Sequence, residues 1–482
     1  MTNYKFKNET TRVSRNWSCY QQAVFNEIAN GNGNCHVEAV AGSGKSTSII
    51  EGFYHMKPGL TALMVAFSKP IQLELEARAP SHIQTKTLHA VGLAACKKAF
   101  PHLQKFNSID SKKEKLYQHI KALGQFDSEE QTMIAQTVSL AKGYLAETNN
   151  DIDLIIDKHD INVLPENRDK FINNVLKVLE TTKKDTSRID FDDMIWYPIV
   201  HNLQLTQYDY VFVDETQDLN NCQISMVLRS IKPNGRILTV GDEAQAIFSF
   251  RGADHNAIKN IINRMNSKVL PLSISYRCGK NIIREAQKYI SHIEYSPTAI
   301  DGLVKDIAPY DVMNMVKPGD FILSRINAPL ITWCMNLIAE NIPANIKGND
   351  VAKGLLALIK NSKAKDIDGF LTYMQKWADI ETARLTKLNR EVGVVTDKLE
   401  CMYALCEGCS DLMQVKKRIE TLFYEGDDNR RVILSTTHKA KGLERDRVFM
   451  LNKTYKPEKS IEERNLTYVA ITRAKKELYY VS

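Results

Sequence analysis

The stretch CHVEAVAGSGKSTSIIEGF (35–53) decides the fold. A short apolar and β-branched run, CHVEAV (35–40), leads into Ala39-Val40-Ala41-Gly42-Ser43-Gly44-Lys45-Ser46, and a helical run follows from Thr47. Small residues let backbone N–H groups curl around phosphate oxygens at a helix N-terminus. Lys45 supplies a point charge for β- and γ-phosphates, and Ser46 a hydroxyl for Mg2+. Ala39 stands where the strict pattern has glycine, but the strand–loop–helix order is that of a nucleotide-binding loop in an α/β domain.

Working outward, further strand-like runs are ALMVAF (62–67), YDYVFV (208–213), RILTV (236–240) and KVLPLS (268–273). A second group comprises DFILS ending at Ser324 with Gly319 just before it, RVILST (431–436), DRVFMLN (446–452) and ELYYVS (477–482). Apolar strands alternating with helical segments argue for parallel sheets covered on both faces. The two groups predict an α/β chain of two parallel-sheet domains, each interrupted by a helical insertion. The first domain is expected over 1–92 and 187–277 with its insertion at 93–186. The second is expected over 278–350 and 428–482, with a shorter insertion at 351–427.

At 482 residues the chain exceeds one ordinary core. Its apolar fraction of 43% and charged fraction of 25% are those of a globular protein, and no run approaches the roughly 20 apolar residues of a membrane helix. The N-terminus lacks an apolar secretion signal. We therefore expect a cytoplasmic protein, or a nuclear one in a eukaryote, without membrane attachment. A net charge of +7 is compatible with nucleic acid but does not demand it. The nine cysteines read as reduced thiols. Cys401, Cys406 and Cys409 have a spacing found in some iron–sulfur ligand sets. The competing reading is two helices around a turn at Glu407-Gly408, with Ser410 or Asp411 capping the second.

A second catalytic element is Val213-Asp214-Glu215-Thr216-Gln217-Asp218, at the end of an apolar strand. Acids at the C-terminal edge of a parallel sheet face the ligand crevice. There Asp214 would hold Mg2+ and Glu215 would orient or deprotonate the attacking water. An acid-rich helix start is the plainer account of the same residues; pairing with the phosphate loop favours catalysis.

The ordered series of motifs resembles superfamily 1 helicases of the UvrD/Rep/PcrA type, with segments similar to the F-box DNA helicase branch. Trp17-Ser18-Cys19-Tyr20-Gln21 resembles the Q motif, where Gln21 would read adenine. Val65-Ala66-Phe67-Ser68-Lys69 and Thr87-Leu88-His89 resemble single-strand contacts. Gly241-Asp242-Glu243-Ala244-Gln245 continues to Phe248, Phe250 and Arg251 as in motif III. In it Gln245 would sense the γ-phosphate and the two phenylalanines would face bases. Ser275-Tyr276-Arg277 resembles motif IV, Arg325-Ile326-Asn327 the R-x-N segment, Thr437-His438 through Glu444 motif V, and Glu463 through Ala474 motif VI.

The resemblance implies two RecA-like domains with ATP and Mg2+ in the cleft between them. Lys45, Asp214, Glu215, Gln245, Arg277 and Arg473 are the implied catalytic set. Gln21, Ala41, Gly42, Ser43, Gly44, Ser46, Thr47, Tyr276 and Glu444 would join Lys45, Arg277 and Arg473 around the nucleotide, with Ser46 and Asp214 at the metal. Phe67, Ser68, Thr87, His89, Phe248, Phe250, Arg251 and His438 would contact DNA. The implied activity is 3′-to-5′ translocation on single-stranded DNA with unwinding at single/double-strand junctions. The protein would act as a monomer, with a protein partner in repair, recombination or phage functions. The alternatives are a translocase that displaces proteins or serves a partner nuclease without unwinding, and a nucleotide-dependent DNA-binding switch. Three departures stand out: Thr47 where the family often has arginine, phenylalanine at 248 and 250 where it has tyrosine and tryptophan, and the short second insertion.

Overall fold

A computed structural model describes residues 16–66, 68–104, 109–110, 114–159, 161, 163, 165–247, 257–387, 392–423 and 430–482. The chain divides into two compact units, the first ending at Ser273 and the second starting at Ile274.

In the first unit, β1 (Cys35–Ala39), β2 (Ala62–Ala66), β3 (Ile83–Thr87), β4 (Tyr208–Val213), β5 (Ile231–Gly241) and β6 (Lys268–Leu272) form one sheet. Its order is β3-β2-β4-β5-β1-β6 and every neighbouring pair is parallel. Side chains alternate across a strand, and both faces are apolar. Met64, Ala66, Phe212 and Val240 enter a core with Val24, Ile49 and Phe53. Leu63, Val65, Val211 and Val213 enter another with Leu88, Val91, Trp196 and Met226. This second core runs without a break into the helices Glu114–Leu123, Ser128–Tyr144, Asn149–Lys158 and Arg168–Lys184 through Val138, Ile152 and Val175. The inserted helices thus share the domain core.

A buried ionic group pins them further. Lys142 Nζ lies 2.6 Å from Asp193 Oδ1 and 3.6 Å from Asp190 Oδ2, while Lys115 Nζ lies 3.2 Å from Asp193 Oδ2. Lys115 also donates to Tyr197 Oη at 2.5 Å and to the Arg188 carbonyl at 3.0 Å. Asp190 and Asp193 form the capping box of the helix Phe191–Val200. The lysines of the insertion therefore neutralise the acids that start this helix.

The second unit has β7 (Leu303–Ile307), β8 (Phe321–Ser324), β9 (Ala344–Ile346), β10 (Val432–Thr436), β11 (Arg445–Leu451) and β12 (Ala474–Val481). Their order is β7-β12-β11-β8-β10-β9, again all parallel. The helices Asn349–Ser362, Ile367–Lys387, Gly393–Cys406 and Leu412–Leu422 pack Leu355, Phe370, Met402 and Val415 into one core with Ile322, Leu434 and Phe449. The cysteine-rich segment is a helical hairpin. Gly408 turns it at φ 68°, Asp411 caps the second helix by accepting from the Gln414 N–H, and Cys401 and Cys406 are buried. The Cys409 thiol lies 3.5 Å from the Leu405 carbonyl. Among the described residues no group of three or more His, Cys, Asp or Glu is placed to hold a metal ion. No described helix is long and apolar enough to cross a membrane.

Candidate functional site

Parallel strands present their C-terminal ends on one edge, where ligands of open α/β sheets bind. In the first unit Ala66 is in register with Thr87, Val65 with Val213, and Val213 with Thr239. Val37 and Glu38 are in register with Val240 and Gly241. The segments that start at Val40, Asp214 and Asp242 therefore leave from adjacent strands.

The phosphate loop bends through Gly42 and Gly44 at φ 72° and 78°, the left-handed region that glycine enters without strain. Gly44 caps the helix Lys45–Phe53. Ser43 is fully buried and its Oγ has no protein partner among the described residues. A buried hydroxyl left unsatisfied costs free energy, and a phosphate oxygen would satisfy it. Ala41 is buried beside it. Gln21 donates from Nε2 to Ser48 Oγ at 3.1 Å, which brings the N-terminal helix Cys19–Asn30 to the same loop. Thr47 Oγ1 lies 3.4 Å from Arg78 Nη2.

Lys45 Nζ sits 3.3 Å from the Glu215 carboxylate, and Ser46 Oγ donates to Asp214 Oδ2 at 2.9 Å. Glu215 occupies the left-handed region at φ 51°, which costs about 1–3 kcal/mol in a non-glycine residue. Such strain persists where the surroundings fix the side chain, here between Lys45 and Gln217 Nε2. Gln217 Oε1 accepts the Asp242 N–H at 3.1 Å, and Asp242 Oδ2 accepts from Gln245 Nε2 at 2.6 Å. A polar chain thus runs Lys45–Glu215–Gln217–Asp242–Gln245. Burial works against the Lys45 charge, but Glu215, Asp214 and Asp242 outweigh it and raise its pKa. Burial, then the neighbouring Glu215, push Asp214 up to about 6, and burial also raises Asp242. Acids this crowded suit a site that gains a cation. Asp214 and the Ser46 hydroxyl are hard oxygen donors of the kind Mg2+ takes.

Towards the other end of the edge, Ser68 precedes the helix Lys69–Arg78, and Thr87 caps the helix Leu88–Ala99 by accepting the Ala90 N–H at 3.2 Å. His89 lies edge-on to Phe191, ring centroids 5.8 Å apart, and burial keeps its imidazole below the usual range. Phe191 is 48% exposed. It is an aromatic at a helix start that the sequence reading did not single out. Phe67, Phe248, Phe250 and Arg251 lie outside the described residues.

In the second unit, Arg277 Nε lies 2.5 Å from Glu444 Oε2 and its Nη1 donates to the Thr472 carbonyl at 3.2 Å. Lys475 Nζ takes the other Glu444 oxygen at 3.0 Å. Burial opposes the Glu444 charge, but Arg277 and Lys475 outweigh it and hold this carboxyl below its usual range. Arg473 is buried, donating to the carbonyls of Val469 and Leu443 at 3.0 and 3.1 Å. Burial, then the like charge of Arg277, bring it down to about 10. Tyr276 is half exposed. His438 lies on the short helix Thr437–Ala440 after β10. Three distant segments of sequence, around Arg277, Glu444 and Arg473, are thus brought together.

Residues 20–266 match the UvrD/REP helicase N-terminal domain, and residues 359–482 match the UvrD-like helicase C-terminal domain. The chain belongs to the UvrD/Rep helicase family. It is 25% identical to F-box DNA helicase protein 1 of Schizosaccharomyces pombe, over 92% of this chain and 55% of that protein. It is 27% identical to ATP-dependent DNA helicase Rep of Buchnera aphidicola subsp. Schizaphis graminum, over 54% of this chain and 42% of that one. With Rep of Buchnera aphidicola subsp. Acyrthosiphon pisum the identity is 22%, over 94% and 93% of the two chains. The chain spans about half the length of the first two relatives. Gln217, Asp242 and Lys475 touch the motif side chains directly, and the motifs gave them no role. Gln217 and Asp242 lie inside the quoted motifs, and only side-chain geometry shows what they link.

Proposed function

We propose that this chain is an ATP-dependent DNA helicase that moves along single-stranded DNA, 3′ to 5′, and opens single/double-strand junctions. The observation that carries the reading is the polar chain from Lys45 to Gln245. It links the phosphate loop to the residue that precedes, by three to six positions in sequence, Phe248, Phe250 and Arg251.

In the chain alone, Glu215 neutralises Lys45. ATP offers Lys45 its β- and γ-phosphates instead, which frees the Glu215 carboxylate to orient the attacking water and accept its proton. Glu215 and Gln217 share a hydrogen bond, so the change passes to Asp242 and Gln245. Ser46 and Asp214 would hold Mg2+, which when bound neutralises phosphate oxygens. Arg277 and Arg473 are the cations we assign to the γ-phosphoryl group as its charge spreads in the transition state. Thr87, His89 and Ser68 are assigned to the DNA strand, with stacking that tolerates any base. We place the protein, acting as a monomer, in DNA repair or recombination.

The test is ATP-dependent strand displacement on duplexes with a 3′ tail, a 5′ tail or none, with Glu215→Gln as control. Displacement only from the 3′ tail, lost in the variant, is expected. DNA-stimulated hydrolysis without displacement would replace the helicase by a protein-displacing translocase, a reading that the short second insertion favours.

A further inference from the structure

The helix Ala328–Ala339 begins without a side-chain cap of its own, since Asn327 makes none. Its first N–H groups need acceptors. Asp397, from the inserted helix Gly393–Cys406, supplies them. Its Oδ1 accepts the Ala328 N–H at 2.7 Å, and its Oδ2 accepts the Asn327 N–H at 3.1 Å and Asn327 Nδ2 at 3.0 Å. Asp397 is only 8% exposed. A buried carboxylate is costly unless fully paired, and here three N–H donors from two residues pair it. The same contacts give Asp397 a second task, fixing the chain just before the helix.

That task lies two residues upstream. Arg325 follows β8 directly, and β8 lies between β11 and β10 in the sheet, so Arg325 is at the ligand end of a central parallel strand. Its N–H donates to Thr454 Oγ1 at 3.0 Å, and its Nε to Glu463 Oε1 at 2.7 Å. Glu463 belongs to the helix Ile461–Ile471, which leads to Arg473. The terminal guanidinium nitrogens of Arg325 have no protein partner among the described residues. Ser324 is in register with Thr436, so this loop and the one bearing His438 leave adjacent strands.

We propose that Asp397 is a positioning residue for the DNA strand. By holding Asn327 it keeps Arg325 between Thr454 and Glu463, with the free edge of its guanidinium already oriented for a backbone phosphate. The helical insertion thereby sets DNA affinity without touching DNA. This rests on the helicase reading above.

The experiment measures ATP hydrolysis against the concentration of a single-stranded oligonucleotide for the wild type, Asp397→Ala, Asp397→Asn, Arg325→Ala and the Asp397→Ala/Arg325→Ala double variant. Losing charge-assisted hydrogen bonds should raise the half-stimulating concentration about tenfold in Asp397→Ala. The maximal rate and the DNA-free rate should stay within about twofold of the wild type. In the Arg325→Ala background, Asp397→Ala should add almost nothing, because the two act as one unit. Asp397→Asn keeps one acceptor oxygen and should fall between; it carries the comparison if Asp397→Ala melts below the assay temperature. An unchanged half-stimulating concentration in a folded variant overturns the proposal, as does a fully additive double variant. A wild type indifferent to DNA overturns the helicase reading and this proposal with it.

Discussion

Lys45 and Glu215 form an ion pair 3.3 Å long across the phosphate loop, with Glu215 held in a left-handed backbone conformation. The pair occupies the place where a γ-phosphate must compete for Lys45. Removing the acid should spare nucleotide binding and remove the group that orients water. Glu215→Gln should therefore bind ATP at least as tightly as the wild type and hydrolyse it about 10²–10⁴ times more slowly. Lys45→Ala should lose both binding and turnover. ATP titration with a fluorescent analogue and single-turnover hydrolysis separate the two, and DNA-stimulated turnover retained in Lys45→Ala would remove the phosphate loop from the mechanism.

Phe191 exposes nearly half of its surface beside His89, at the start of a helix whose capping acids are neutralised by Lys142 and Lys115. An exposed aromatic ring beside His89, which lies just past the C-terminal end of β3, suits stacking on a base. Phe191→Ala should weaken single-stranded DNA binding by about 1–3 kcal/mol, whatever the base. Phe191→Trp should preserve it. Fluorescence anisotropy with oligo-dT and oligo-dA measures both, and equal affinities for wild type and Phe191→Ala would take this ring off the strand's path.

Legibility followed the length of the apolar run more than burial as such: β9 is fully buried yet too short to read, while the mostly exposed edge strand β6 stood out as KVLPLS. The central strands β1, β2, β4, β8, β10 and β11 are apolar runs because helices cover both their faces, and such runs stand out in sequence. β3 and β7 escaped notice because they are half-exposed edge strands, reading IQTKT and LVKDI, and β9 is only three residues long. The same asymmetry holds at the site. Lys45, Ser46, Asp214, Glu215 and Gln245 sit in short motifs whose chemistry is local in sequence. Asp397 lies 70 residues from Asn327, and Phe191 lies 102 from His89. No spacing rule reaches such pairs, because tertiary packing creates them.

Lys142 and Asp193 are both buried and 2.6 Å apart. Burial opposes the Lys142 charge, but Asp193 and Asp190 outweigh it and raise its pKa. Replacing the lysine alone leaves acids buried without their cation, so Lys142→Met should destabilise the first unit by about 3–5 kcal/mol. A double variant, Lys142→Met with Asp193→Asn, should recover part of that loss. Urea denaturation of the full chain reads both; a single variant as stable as the wild type would show that water reaches the acids in solution.

His36 gives stability a pH dependence whose sign follows from its burial. It is fully enclosed in β1, its Nδ1 2.8 Å from Thr239 Oγ1, and burial lowers its pKa from the ordinary 6.5 to about 4. Between these values the unfolded chain binds a proton that the folded chain refuses. Stability therefore rises with pH across that window and is lost as the pH falls through it. The full gap is worth about 3 kcal/mol, of which about 2 should be gone by pH 5. His36→Gln cannot titrate, so between pH 7.5 and pH 5 the wild type should lose about 2 kcal/mol more than this variant. Denaturant midpoints at the two pH values measure the difference. Equal losses would mean that the buried imidazole takes up its proton in the folded state.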